Sequence, residues 1–145
     1  MNHLLVALDF SQFSPMVENV AYTLARKINA TVILVTIVDK SIEYEPIVTG
    51  QVFTDKWEAE QFLANQNLAK VKFEHPDTET KIVSFIGDPK EDIIELAVKE
   101  HANFIVLGTH GRTGLSNLLM GSTAASVIQH STIPVIVVPY QMENH

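Results

Sequence analysis

The sequence predicts an α/β fold, a doubly wound parallel sheet of five strands, and three observations carry that reading. Near-continuous apolar runs rich in Val, Ile and Leu recur along the chain, the pattern of parallel strands covered on both faces. Amphipathic stretches of helical period separate them, so strand and helix alternate strictly, which implies right-handed crossovers. A glycine-bearing loop follows the fourth run and opens a helix-like segment, which is where such folds bind phosphate.

Leu4 to Leu8 is the first run and ends at Asp9. Met16, Val17, Val20, Ala21, Leu24, Ala25 and Ile28 then mark one helical stripe, with Ser14 placed as N-cap and Pro15 suited to the first helical position. Val32 to Val38 is the second strand. An irregular stretch around Glu43 to Gln51 precedes a helix expected over roughly Thr54 to Lys72, in which Trp57 reads as core or interface packing. Thr80 to Ile86 is more mixed, carrying Lys81 and Ser84, and is expected at an edge. In G-D-P-K-E-D-I-I-E-L-A-V-K-E, Asp88 can cap, Pro89 takes the first turn, Glu91 and Asp92 favour the positive helix end, and Ile93, Ile94, Ala97 and Val98 are expected to face inward. Phe104 to Leu107 is the fourth strand, a helix is expected from Ser122 to about His130, and Val135 to Val138 closes the sheet.

Composition bounds the function. With 145 residues, 46% of them hydrophobic and 19% charged, the chain fits one domain, and the six Pro and six Gly are too scattered to divide it. No apolar run approaches a membrane span and the N-terminus lacks a secretion signal, so the expectation is a soluble protein of the cytoplasm. The absence of Cys removes disulfides, thiolate metal sites and thiol chemistry. A formal net charge of −7 argues against nonspecific binding to nucleic acid or to an anionic membrane.

The most informative segment runs from Leu107 to Thr123, where Gly108, Gly111, Gly121 and Ser122 form the spacing G-x2-G-x9-G-S. Glycine lets backbone approach a ligand closely, and the first N–H groups of the following helix are available to an anion. Arg112 lies inside this loop and is the only Lys or Arg from His101 onward, so it stands where an acidic protein would need local compensation for a bound phosphate. Asp9, Ile37 and Gly108 each fall at or beside the carboxyl end of a strand, where ligands of such sheets sit. Each feature also has a plainer explanation: Asp9 as a turn cap, the glycines as loop residues, Gly121-Ser122 as a helix cap. One pocket needs all three together, which favours the binding reading. His110 could exchange protons beside a phosphate loop, though the plainer reading as a loop residue is preferred.

These residues resemble the universal stress protein family, in its ATP-binding branch. The likeness spans the chain: V-A-L-D-F-S after the first strand, I-V-D after the second, G-D-P opening the third helix, the full glycine pattern, and P-V-I-V-V-P at the end. The resemblance implies a Rossmann-like sheet of the adenine nucleotide alpha hydrolase type with strand order 3-2-1-4-5. It implies that Asp9 accepts hydrogen bonds from the ribose hydroxyls, with Ala7 and Leu8 lining the nucleoside pocket, and that backbone at Ile37 reads the adenine edge. Leu107 and Gly108 would border the sugar and first phosphate, while Gly111, Gly121, Ser122 and Thr123 would surround the phosphate chain. The implied ligand is ATP, with Mg²⁺ carried by the nucleotide, and the implied assembly is a homodimer through the edge strand Val135 to Val138, acting on an unknown protein partner.

Several activities are disfavoured by missing motifs. The first turn lacks the glycines of a dinucleotide-binding domain, and neither G-x4-G-K-[ST] nor G-x-S-x-G occurs. No H-E-x-x-H or similar spacing supports a protein-held metal. Beside the glycine loop there is no paired carboxylate to activate water, so slow ATP hydrolysis is the most that is expected. Two rivals stay open. One is a receiver-like phosphoacceptor switch using Asp9, Asp88 and Thr109, which lacks the lysine expected after the fifth strand, where Pro139 and Tyr140 stand. The other is a nucleotide-free assembly scaffold.

Overall fold

A computed structural model describes residues 2–45, 50, 52–110 and 120–140. In chain order the elements are β1 (Asn2–Ala7), α1 (Ser14–Ile28), β2 (Ala30–Asp39), α2 (Lys56–Glu74), β3 (Thr80–Gly87), α3 (Pro89–Lys99), β4 (Phe104–Gly108), α4 (Ser122–His130) and β5 (Val135–Val138). The five strands form one sheet, every pair parallel as the apolar runs predict, in the order β3-β2-β1-β4-β5 that the family resemblance implies.

Alternation of side chains along each strand divides the core between the two faces. Leu4, Val6, Val32, Leu34 and Val106 pack against α1 and α2 through Val17, Ala21, Tyr22 and Leu68. Leu5, Ile33, Val35, Ile105 and Leu107 pack on the other face against Ile93, Leu96 and Ala97 of α3 and Ala124 and Val127 of α4. β1 is central, and Leu5 lies in register with Ile33 on one side and Ile105 on the other. The chain builds outward from β1 through β2 to β3, then returns to place β4 on the opposite side of β1. Winding therefore reverses between β1 and β4, and the carboxyl ends of these strands open a crevice there.

Local chemistry explains where helices begin, and it corrects three expectations. Ser14 does not cap α1: the N-cap is Phe13, with no side-chain cap bond, and the Ser14 hydroxyl donates instead to Asp9 Oδ1 at 3.2 Å. α2 begins at Lys56 rather than Thr54, because Asp55 Oδ1 accepts from the Glu58 amide at 2.8 Å while Glu58 Oε2 accepts from the Thr54 amide at 3.2 Å. This reciprocal arrangement sets the first turn firmly. Val98 does not face inward but is 54% exposed, the inner stripe of α3 being Ile93, Leu96 and Ala97. The expected cap of α3 is present, with Asp88 Oδ1 accepting from the Lys90 amide at 3.0 Å and Pro89 in the first turn. α4 and β5 match the expected bounds. Trp57 is half-buried in the first turn of α2, with the Lys56 ammonium 5.1 Å from its ring.

Candidate functional site: a cleft at the carboxyl edge of the sheet

The crevice at the switch point is a cavity of about 1030 Å³ bounded by the ends of β1, β2 and β4 and the starts of α1, α3 and α4. That is just above the roughly 300–1,000 Å³ range of ligand pockets. Ala7, Leu8, Asp9, Ile37, Leu107 and Gly108 line it, and so do Gly121, Ser122 and Thr123. Gly111 and Arg112 lie outside the described residues.

Asp9 is the first polar residue beyond β1. Leu8 still continues the ladder, donating its amide to Val35 O at 2.9 Å, and its carbonyl accepts from the buried Thr36 hydroxyl at 2.9 Å. The next step turns sharply. Phe10 takes φ +55°, a left-handed conformation that a bulky side chain rarely adopts, so the turn after Asp9 is strained. Asp9 Oδ1 accepts from the Ser11 amide at 2.9 Å and from the Ser14 hydroxyl, which fixes the carboxylate at the mouth of the cleft. The capping role considered for Asp9 is thus present in the turn, at a residue that also lines the cleft.

Across the cleft, β4 ends at Gly108. A Cβ there would lie 3.1 Å from Val17 Cγ2 and 3.3 Å from the His110 carbonyl oxygen, tight contacts that would oblige these neighbours to shift by a few tenths of an ångström. Thr109 donates its amide to Val138 O at 3.0 Å, and its own carbonyl accepts from the Gly121 amide. This bond holds the α4 N-terminus against the end of β4. Gly121 is the N-cap and supplies no side-chain acceptor, so the amides of Ser122, Thr123 and Ala124 begin the helix without the capping bond that α2 and α3 receive. An anion at that point would meet both N–H donors and the positive end of the helix dipole.

Several lining residues were not singled out from sequence as binding residues. Lys40, after β2, and Lys90, in the first turn of α3, line the cleft from positions far in sequence from the glycine pattern. Tyr44 also lines the cleft and folds back over the end of β2, its hydroxyl accepting from the Asp39 amide at 3.0 Å. No repeating signal marks these positions, since each is a single polar residue outside any motif. Thr109 and His110 also line the cleft, with His110 Nδ1 3.0 Å from Thr109 Oγ1. Asp88 reaches the cleft as well, but its carboxylate is engaged as the α3 cap, and Asp92 Oδ2 accepts from its amide at 2.8 Å.

Comparison with known proteins agrees with this architecture. The model of the Universal stress protein family matches residues 1–139. Universal stress protein MJ0531 of Methanocaldococcus jannaschii is 33% identical over 141 residues, covering 93% of this chain and 80% of that protein. Among solved structures, a universal stress protein in complex with cAMP superposes with a TM-score of 0.71 at 22% identity, covering 94% of this chain and 96% of the other. The universal stress protein of Archaeoglobus fulgidus in complex with dAMP gives 0.68 at 21% identity, with 95% and 98% covered. At these identities the two structures establish a shared fold.

Proposed function

Because the chain belongs to the universal stress protein family, we propose that it is an ATP-binding regulatory module of the cytoplasm that works as a homodimer. One observation carries the reading: a fixed carboxylate, a glycine at a strand end and an uncapped helix N-terminus converge on one cleft of nucleotide size. The complexes of fold relatives with cAMP and dAMP support an adenine nucleotide as the ligand class. In this reading Asp9 accepts from the ribose hydroxyls, with Ala7 and Leu8 beside the nucleoside, and the Ile37 backbone meets the adenine edge. Leu107 and Gly108 border the sugar, and the amides and hydroxyls of Ser122 and Thr123 hold the phosphates with Gly121. Gly111 and Arg112 complete the phosphate site, and Mg²⁺ arrives on the nucleotide, offsetting its charge. Occupancy of the cleft biases which surface is presented to a partner, through the ligand's differential affinity for the two arrangements.

The test is thermal stability of the wild type and of Gly111→Val with ATP, ADP, AMP and acetyl phosphate. ATP at a hundredfold excess over its dissociation constant should stabilise the wild type by about 2.7 kcal/mol, and the variant should lose most of that gain. An acid-labile aspartyl phosphate formed from acetyl phosphate would instead support the receiver-like switch. No response to any nucleotide would leave the assembly scaffold.

A further inference from the structure

We propose that Thr36 is a positioning residue for the nucleoside, its hydroxyl fixing the gap between the two strand exits that would hold the ribose and the base. The inference deepens the nucleotide reading above and rests on it. Leu8 and Thr36 stand directly before Asp9 and Ile37, so each lies one residue inside a proposed contact. Thr36 is 7% exposed and Leu8 4%, and the Thr36 hydroxyl donates to the Leu8 carbonyl at 2.9 Å. Both residues line the cleft.

This side-chain bond falls where the main-chain ladder stops. β1 and β2 pair in register as far as Ala7 and Val35, and the Leu8 amide adds one bond, to Val35 O. In a regular parallel ladder the next donor would be the Ile37 amide, to the Leu8 carbonyl. The Thr36 hydroxyl meets that carbonyl, and no bond to it from the Ile37 amide is present among the described residues. Past this point the strands part. β2 stays in register with β3 through Ile37, Val38 and Asp39, whereas β1 has ended and its chain turns through Phe10. The exit of β2 is thus held to β3 by main chain and to the exit of β1 by a hydroxyl.

The consequence is geometric. The Ser11 amide and the Ser14 hydroxyl fix the Asp9 carboxylate within its own turn, but neither bond reaches β2. Beyond the Leu8–Val35 bond, the spacing between that carboxylate and the Ile37 backbone is set by the Thr36–Leu8 tie. A ligand with ribose at one exit and adenine at the other binds more tightly when that span is fixed in advance. Without the hydroxyl the buried Leu8 carbonyl needs another donor. In ladder order that donor is the Ile37 amide, which the adenine edge would then lose.

The experiment uses the full chain and measures ATP affinity by calorimetry in the presence of Mg²⁺, with urea unfolding of each variant alongside. Thr36→Val keeps the branched shape and removes the donor, and should weaken ATP binding about fivefold. Thr36→Ser keeps the hydroxyl and should bind as the wild type does. Thr80→Val is the control, since it removes a comparably buried hydroxyl, 2.9 Å from that of Tyr22, at the start of β3 and away from the cleft lining. It should lose stability and keep its ATP affinity, which separates positioning from general destabilisation. Where Thr36→Val fails to fold, Thr36→Cys, a poorer donor of similar size, carries the test with a smaller loss. A wild type that binds ATP alongside a folded Thr36→Val or Thr36→Cys that binds it equally well overturns the positioning role and leaves the nucleotide reading intact. So does a Thr36→Ser protein as weak as Thr36→Val, or a Thr80→Val protein that loses as much affinity. A wild type that binds no ATP overturns both.

Discussion

At the scale of single residues, Tyr22 shows how one polar atom is accommodated in an apolar layer. The side chain is fully buried between α1 and the sheet, and its hydroxyl and that of Thr80 lie 2.9 Å apart. The ring stacks on His75 at 3.7 Å, and His75 Nε2 lies 2.8 Å from Glu18 Oε1. Burial pushes the phenol above its ordinary value; the Thr80 hydrogen bond opposes that, and the nearby Glu18 carboxylate adds to it. The folded state therefore keeps the proton longer than the unfolded chain. Above about pH 10 the unfolded state binds fewer protons, so stability falls as pH rises toward the folded-state value. Tyr22→Phe is expected to cost roughly 1 kcal/mol at neutral pH and to flatten the alkaline decline. Urea titrations from pH 9 to 11 check this, and equal alkaline slopes in the two proteins would refute it. Such pairings were not legible beforehand, since Tyr22 and Thr80 are 58 positions apart. The same limit applies to Phe10, whose left-handed turn is of a kind ordinarily signalled by Gly or Asn. Asp9 and Gly108 were legible because each follows a strongly apolar run directly.

At the scale of elements, legibility tracks the strength of local chemistry. α3 carries its start signal in four consecutive residues, Gly87 to Lys90, and the helix begins where that signal places it. For α1 the sequence offers Ser14 as N-cap, but its hydroxyl donates to Asp9, five residues earlier, and Phe13 takes the cap position with no side-chain bond. Val98 was misplaced because its apolar side chain fits the helical stripe, whereas Ile93, Leu96 and Ala97 take the buried face and leave Val98 exposed. The α3 junction also yields a sharp prediction. A Cβ on Gly87 would fall inside contact distance of the Asp92 carboxylate, which accepts from the Asp88 amide. Gly87→Ala should swing Asp92 away and lose that bond, destabilising the protein by about 1 kcal/mol. In an Asp92→Ala background the same substitution should cost far less, because the clash and the bond are both already gone. A chemical-denaturation double-mutant cycle measures the difference, and additive effects would contradict the assignment.

At the scale of the whole molecule, the sheet has two edges of different character. β3 is covered by α2, with Gln61 donating to the Ser84 carbonyl at 3.2 Å and Ser84 bonded to Asn65 at 2.6 Å. β5 is only four residues long, pairs with β4 alone among the described residues, and keeps Val135, Ile136 and Val137 half-buried. Pro134 and Pro139 bracket it, confining any further ladder to this short stretch. An open, apolar parallel edge is a template for another strand, and in the proposed homodimer a second copy would supply an identical one through a two-fold axis. Under that symmetry a charge near the axis meets its own image. Val137→Lys is therefore expected to weaken the homodimer tenfold or more, about 1.4 kcal/mol, as read by sedimentation at micromolar concentration. Val137 also packs against the layer beneath α3 and α4, so the variant's circular dichroism and melting must first match a folded monomer. A folded variant that dimerises as tightly as the wild type would remove β5 from the interface.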